Sequence, residues 1–145
     1  MKSLVSGWAF WALLSAGFAA LTAIFAKVGV AGVNSDFATF LRTLVVIAAL
    51  AAILTAFGEW RPLGSISPRT YLFLTLSGLA TGASWLCYFR AMQLGDAAKV
   101  APIDKLSVAL VAVFGVSFLG ERLSVINWAG VAFITAGAIL AAYRG

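Results

Sequence analysis

Apolar residues fall along this chain in long runs, separated by short breaks of charge, glycine and proline. The runs are Trp8 to Ala26, Phe37 to Phe57, Tyr71 to Phe89, Val100 to Leu119 and Val125 to Ala142. Each comes close to the roughly 20 residues a helix needs to cross a hydrocarbon core. Lys27 and Gly29 close the first run, and Gly58, Glu59 and Arg61 close the second. Pro68 and Arg69 open the third, which Arg90 closes. Lys99 precedes the fourth, the Gly120-Glu121-Arg122 turn follows it, and Tyr143 and Arg144 end the last. The longest break, Gly58 to Thr70, is too short to fold by itself. Backbone polar groups in lipid must bond one another within the chain, which an open sheet with free edges cannot do. The pattern therefore predicts an all-α, polytopic membrane protein of five transmembrane helices, a single domain over 1–145.

Composition agrees with this pattern. Hydrophobic residues make up 63% of the 145 and charged ones 10%, against about 25% charged in a soluble domain. The net charge of +5 is spread over residues that bracket the apolar runs, so the basic residues are expected to anchor at the interface. Trp8, Trp11, Trp60, Tyr71, Trp128 and Tyr143 lie mostly near run ends, as an aromatic belt requires. The first expected partner is thus the lipid bilayer, with no nucleic acid. The expected location is the cytoplasmic (inner) membrane of a bacterium, as a multi-pass protein. Lys2 ahead of an apolar stretch with Leu21-Thr22-Ala23 resembles a signal peptide, but the run is longer than a typical signal core and is taken as a span.

Topology is less decided. The N-terminus and the second and fourth connections carry Lys2, Arg61, Arg69 and Arg122; the opposite side carries Lys27, Arg90, Lys99 and Arg144. By the positive-inside rule the two sides tie. A tie has two readings: one orientation set by the first helix, or insertion in both. With an odd number of spans, dual insertion would yield an inverted pair of the kind many transporters carry within one chain.

Membrane helices approach closely through small residues. Alanines at Ala9, Ala12, Ala16, Ala19, Ala23 and Ala26 alternate three- and four-residue steps and form one seam of the first helix. Gly78 and Gly82 make a GxxxG pair in the third, and Gly130 and Gly137 mark the fifth, with Ala132, Ala136 and Ala141 beside them. These are read as helix-packing positions.

Charges within a span cost several kcal/mol unless they face protein or water, which makes each a functional candidate. Arg42 in the second run and Asp104 and Lys105 in the fourth are of this kind, and the two runs begin at the same membrane face. Arg42 and Lys105 would attract a carboxylate or phosphate group; as residues close to a span end they can also snorkel to the interface. Asp104 has a short stem and, in a poorly hydrated place, is the foremost candidate to take up a proton. Glu121 and Asp36 follow it, although Glu121 beside Arg122 also suits a loop ion pair. Pro102 removes an amide donor and either breaks the helix there or occupies a tolerated first-turn place. Trp11, Trp85, Tyr88 and Phe89 are candidates to pack against the apolar part of a solute, or against lipid and neighbouring helices.

There is no histidine and one cysteine, Cys87. A Ser-His-Asp arrangement and an intrachain disulfide are therefore excluded, and no phosphate-cradling loop or metal-ligand spacing is present. Neither an enzyme nor a cofactor is expected.

Ala101-Pro102-Ile103-Asp104-Lys105-Leu106-Ser107, then Phe118-Leu119-Gly120-Glu121-Arg122-Leu123-Ser124 and Trp128-Ala129-Gly130 resemble the EamA-type unit of the drug/metabolite transporter superfamily. Ile134 and Gly137, Lys27 with Gly29, and Arg42 also suit that pattern, which is strongest from Lys99 to Gly137. The resemblance implies a five-helix unit, usually fused to a second in inverted orientation. A chain with one unit would pair with an antiparallel copy, a homodimer, making it half of an inverted-repeat ten-helix transporter. It further implies transport of a small organic solute such as an amino acid or metabolite, working by alternating access, with Asp104 as the residue that would couple protons. Small multidrug-resistance relatives hold cations with a carboxylate in the first span; none is present here, which speaks against dye efflux of that type. Two other roles fit the same features: a non-transporting accessory or assembly subunit, and half of a heterodimeric transporter.

Overall fold

The computed structural model describes residues 7–143, so the anchors Lys2 and Arg144 lie outside the described residues. The helices are α1 (Trp8–Gly29), α2 (Ser35–Phe57), α3 (Pro68–Leu94), α4 (Ala97–Asp104), α5 (Ser107–Phe118) and α6 (Val125–Ala142). No strand occurs among the described residues. Taking α4 and α5 together as Ala97–Phe118, 5 helical segments are long and apolar enough to cross a membrane. The all-α, five-span reading is what the structure shows.

Local chemistry sets where helices start and stop. Asn34 caps α2, its Oδ1 accepting from the Asp36 and Phe37 amides at 2.9 and 3.1 Å. Gly58 ends α2 in the left-handed region (φ 64°). Glu59 N–H then reaches the Leu54 carbonyl at 3.0 Å and Gly58 N–H that of Thr55 at 3.3 Å, which closes the last turn. Between α2 and α3, Trp60 donates to Thr55 Oγ1 and Tyr71 to the Leu63 carbonyl; these bonds hold the short 3-10 turn Leu63–Ser65 against both helix ends. Pro68 opens α3, where a missing amide costs nothing. Ser124 and Asn127 form a reciprocal cap at the start of α6.

The fourth span departs from the single helix expected from Val100 to Leu119. It begins at Ala97 and is interrupted at Lys105-Leu106. Pro102 has no N–H to return to the Ala98 carbonyl. The chain then tightens, with Lys105 N–H on the Pro102 carbonyl, Leu106 on Ile103, Val108 on Lys105 and Ala109 on Leu106, at 3.0–3.1 Å. These three-residue returns are 3-10 geometry, narrower than an α-turn.

The chain divides into two compact units, one running from Lys27 to Gln93, the other formed by the flanking segments up to Ala26 and from Leu94. In the first, the buried residues are Val30, Ser35, Thr39, Phe89 and Met92, gathered where the α1–α2 connection meets the end of α3. In the second, α6 packs along α4 and α5, and Ala23, Ala26, Gly115 and Ala138 are buried. Elsewhere the spans bury little: 6% of each apolar window is enclosed by the chain, and large hydrophobics such as Leu13, Ile53, Leu79 and Phe133 point outward. In water such a surface would be untenable; in lipid it is solvated.

The small-residue stripes are mostly on these open surfaces. Ala23 is buried, whereas Ala12, Ala16 and Ala19 are exposed. A methyl group added at Gly78, Gly82, Gly130 or Gly137 would meet nothing within 4 Å.

Candidate functional site

Within the Lys27–Gln93 unit, Ser35, Thr39 and Arg42 follow a four- and three-residue spacing on α2, and Trp85, Phe89 and Met92 do so on α3. Each set therefore occupies one helix face. Arg42 is half-buried, and its Cζ lies 4.0 Å from the centroid of the Trp85 ring and 5.7 Å from that of Phe89. Tyr88 shares this stretch of α3 and is also half-buried. Two helix-top bonds brace the group. Lys27 Nζ donates to the Met92 carbonyl at 2.7 Å and Gln93 Nε2 to the Val33 carbonyl at 2.8 Å. Lys27, expected only as an anchor, thus places positive charge at the C-terminal carbonyls of α3, where the helix dipole favours it.

Arg42 Nη1 is buried and has no hydrogen-bond partner. A charged donor left in that state costs about 1–3 kcal/mol or more, and an arginine over an aromatic ring recovers about 0.5–2 kcal/mol. The ring contact offsets part of the cost and supplies no acceptor. Asp36, the acidic residue nearest in sequence, instead accepts from the Ser35 hydroxyl at 3.2 Å.

The flanking unit holds the other candidates. Asp104 and Lys105 stand at the interruption of the fourth span, the ammonium 3.2 Å from Asp104 Oδ2, with side chains 38% and 55% exposed. A pair so open contributes about 0–1 kcal/mol in water, while placing a charge at mid-span costs about 2.5–3.5 kcal/mol. Pairing alone does not sustain these charges in lipid: short-stemmed Asp104 needs water or protein beside it, while Lys105 can also snorkel to the interface. Trp11, on α1, contacts Phe10 edge-on at 5.5 Å.

Glu121 is not ion-paired with Arg122; among the described residues the ion pairs are Lys99–Asp96 and Lys105–Asp104. Its carboxylate folds back over Gly115, where an added methyl carbon would stand 2.5 Å from Oε2. The Gly115 carbonyl accepts from both the Leu119 and Glu121 amides at 3.1 Å. Gly120, at φ 68°, turns the chain so that Glu121 can make this return. Gly115 escaped the sequence reading because a glycine inside an apolar run looks like any small packing residue. The clasp of Ser35, Thr39 and Met92 escaped it too, although polar residues spaced four and three apart inside an apolar run are the signal that could have found it.

No group of three or more metal-ligating side chains occurs among the described residues.

Comparison with known proteins adds what geometry alone cannot. The model of the EamA-like transporter family matches residues 6–143. A protein of Sinorhizobium sp., described as "Uncharacterized transporter in cobO 3'region", is 67% identical over 135 residues, covering 93% of this chain and 96% of its own length. No solved structure matches the chain.

Proposed function

Because the chain belongs to the EamA-like transporter family, we propose that it is a secondary transporter of a small organic solute, an amino acid or another metabolite. It works by alternating access as an antiparallel homodimer in the bacterial cytoplasmic membrane. The observation that carries this reading is the broken fourth span with Asp104 and Lys105 at the break. Interrupted helices at membrane depth are tolerated where they face protein or line a water-filled cavity, and transporters build solute and ion sites from them. A subunit that merely stabilised a partner would have no need for a charge pair at such a point.

In this reading Asp104 couples protons, releasing Lys105 when it is protonated, and Lys105 draws in the anionic group of the solute. In the Lys27–Gln93 unit, Arg42 is a further candidate for an anionic group and Tyr88 for an apolar one; in the flanking unit Trp11 is a candidate for an apolar one. Glu121, folded over Gly115 at the end of the span, is a secondary proton carrier. The open faces carrying Ala12, Ala16, Ala19, Gly78, Gly82, Gly130 and Gly137 are where helices of the second copy approach.

Reconstitution tests the reading directly. Purified chain, alone in proteoliposomes, is expected to accumulate at least one solute from an amino-acid and organic-acid panel when a proton gradient is imposed. Absence of uptake across the panel, with no solute raising the thermal midpoint of the detergent-purified protein, would leave the accessory role in its place.

A further inference from the structure

We infer that Arg42, seated on Trp85, is an anion-binding site that takes a planar carboxylate at the edge of its guanidinium. As the solute site of a transporter it rests on the function proposed above, and it narrows the solute to a carboxylate with a flat or apolar body. Three observations carry it. First, Cζ stands 4.0 Å over the Trp85 centroid, so the ring covers the cation from one side and supplies no acceptor to its N–H donors, which a carboxylate can take two at a time. Second, Nη1, one of those donors, is buried and has no acceptor. Third, the carboxylate of Asp36, the acidic residue nearest in sequence, accepts from the Ser35 hydroxyl, and the ion pairs among the described residues are Lys99–Asp96 and Lys105–Asp104, so no described carboxylate pairs with Arg42.

The arrangement also changes what Trp85 does. Its ring lies under Arg42, so it is a positioning residue that holds the cation in place, and Phe89 lies 5.7 Å from the same Cζ. Lysine at position 42 would keep the charge but lose both the stacking plane and the paired donors.

Benzoate is the probe, because it joins a planar carboxylate to a flat body; benzamide is its neutral counterpart. With the full-length protein in detergent, benzoate is expected to raise the thermal midpoint and change tryptophan fluorescence, and benzamide at the same concentration to do neither. Arg42→Lys is expected to weaken benzoate binding by about tenfold or more, since it forfeits the bidentate contact. Trp85→Phe keeps an aromatic platform and is expected to weaken it by less than Trp85→Ala. The lysine and phenylalanine variants keep charge and ring, so the test survives if Arg42→Gln or Trp85→Ala fails to fold. Equal benzoate affinity in wild type and Arg42→Lys overturns the inference. So does stabilisation by phosphatidylglycerol micelles alone, dependent on Arg42 but without any response to benzoate, since the occupant is then a lipid headgroup. The two proposals fail separately. Arg42-dependent binding in a protein that moves no carboxylate across liposomes keeps this site and removes the transport function. Carboxylate uptake untouched by Arg42→Lys does the reverse.

Discussion

Asparagine at position 104 keeps the shape of the aspartate and removes its charge and its proton site. If Asp104 couples protons, Asp104→Asn should lower gradient-driven uptake by at least about tenfold, roughly 1.4 kcal/mol at the rate-limiting step. The residual activity should vary much less with pH, since Glu121 alone would remain to carry protons. Uptake and pH profile identical to wild type would remove Asp104 from the mechanism. Gly115 invites the opposite expectation for stability. Alanine there would meet Glu121 Oε2 at 2.5 Å, but that oxygen ends a flexible, exposed side chain and can swing away. Alanine also favours helix over glycine by about 1 kcal/mol. Gly115→Ala should therefore leave thermal stability within about 1 kcal/mol of wild type or slightly above, while Glu121 becomes more reactive toward a carbodiimide, as mass spectrometry would read. A loss above about 2 kcal/mol would mean that Glu121 is fixed in its folded-back position. Arg42, Asp104 and Lys105 are conspicuous in the sequence because charge is expensive in lipid. What they touch is not legible there. The stack of Arg42 on Trp85 joins residues far apart in the chain, and only the geometry of α2 and α3 brings them together.

Helices are the most legible level of this protein. An apolar run near 20 residues has one outcome in a bilayer, and the stops at Gly58 and Gly120 carry their own reason in a left-handed backbone. The interruption of the fourth span is less legible, because a proline near the beginning of a helix can break it or simply occupy its first turn. Here α4 starts earlier than the apolar run, at Ala97, which leaves Pro102 inside the helix and moves the tight turns to Lys105-Leu106. Pro102→Ala restores a donor for the Ala98 carbonyl. It should stabilise the protein against heat by up to about 3 kcal/mol and lower uptake, because a continuous α4–α5 helix would remove the irregular backbone beside Asp104. Unchanged uptake in a stabilised variant would show the break to be incidental.

At the scale of the whole molecule, the sequence offers a tie of positive charge between the two sides and stripes of small residues. The structure adds that most of those stripes are unoccupied within the chain: Gly78, Gly82, Gly130 and Gly137 each have open space where a side chain would be. Small residues do not draw lipid, but they let another helix approach closely. Each of these glycines thus offers surface that a further helix could approach. The sequence could not disclose this, since a glycine buried against a neighbour in the same chain reads the same as one awaiting a second copy. An antiparallel pair, as proposed above, would use such faces and account for the charge tie at once. The direct test is to fuse the C-terminus, in parallel, to a reporter active only in the cytoplasm and to one active only in the periplasm. Comparable signal from both is the result predicted for an antiparallel homodimeric transporter; signal from one reporter alone would contradict it.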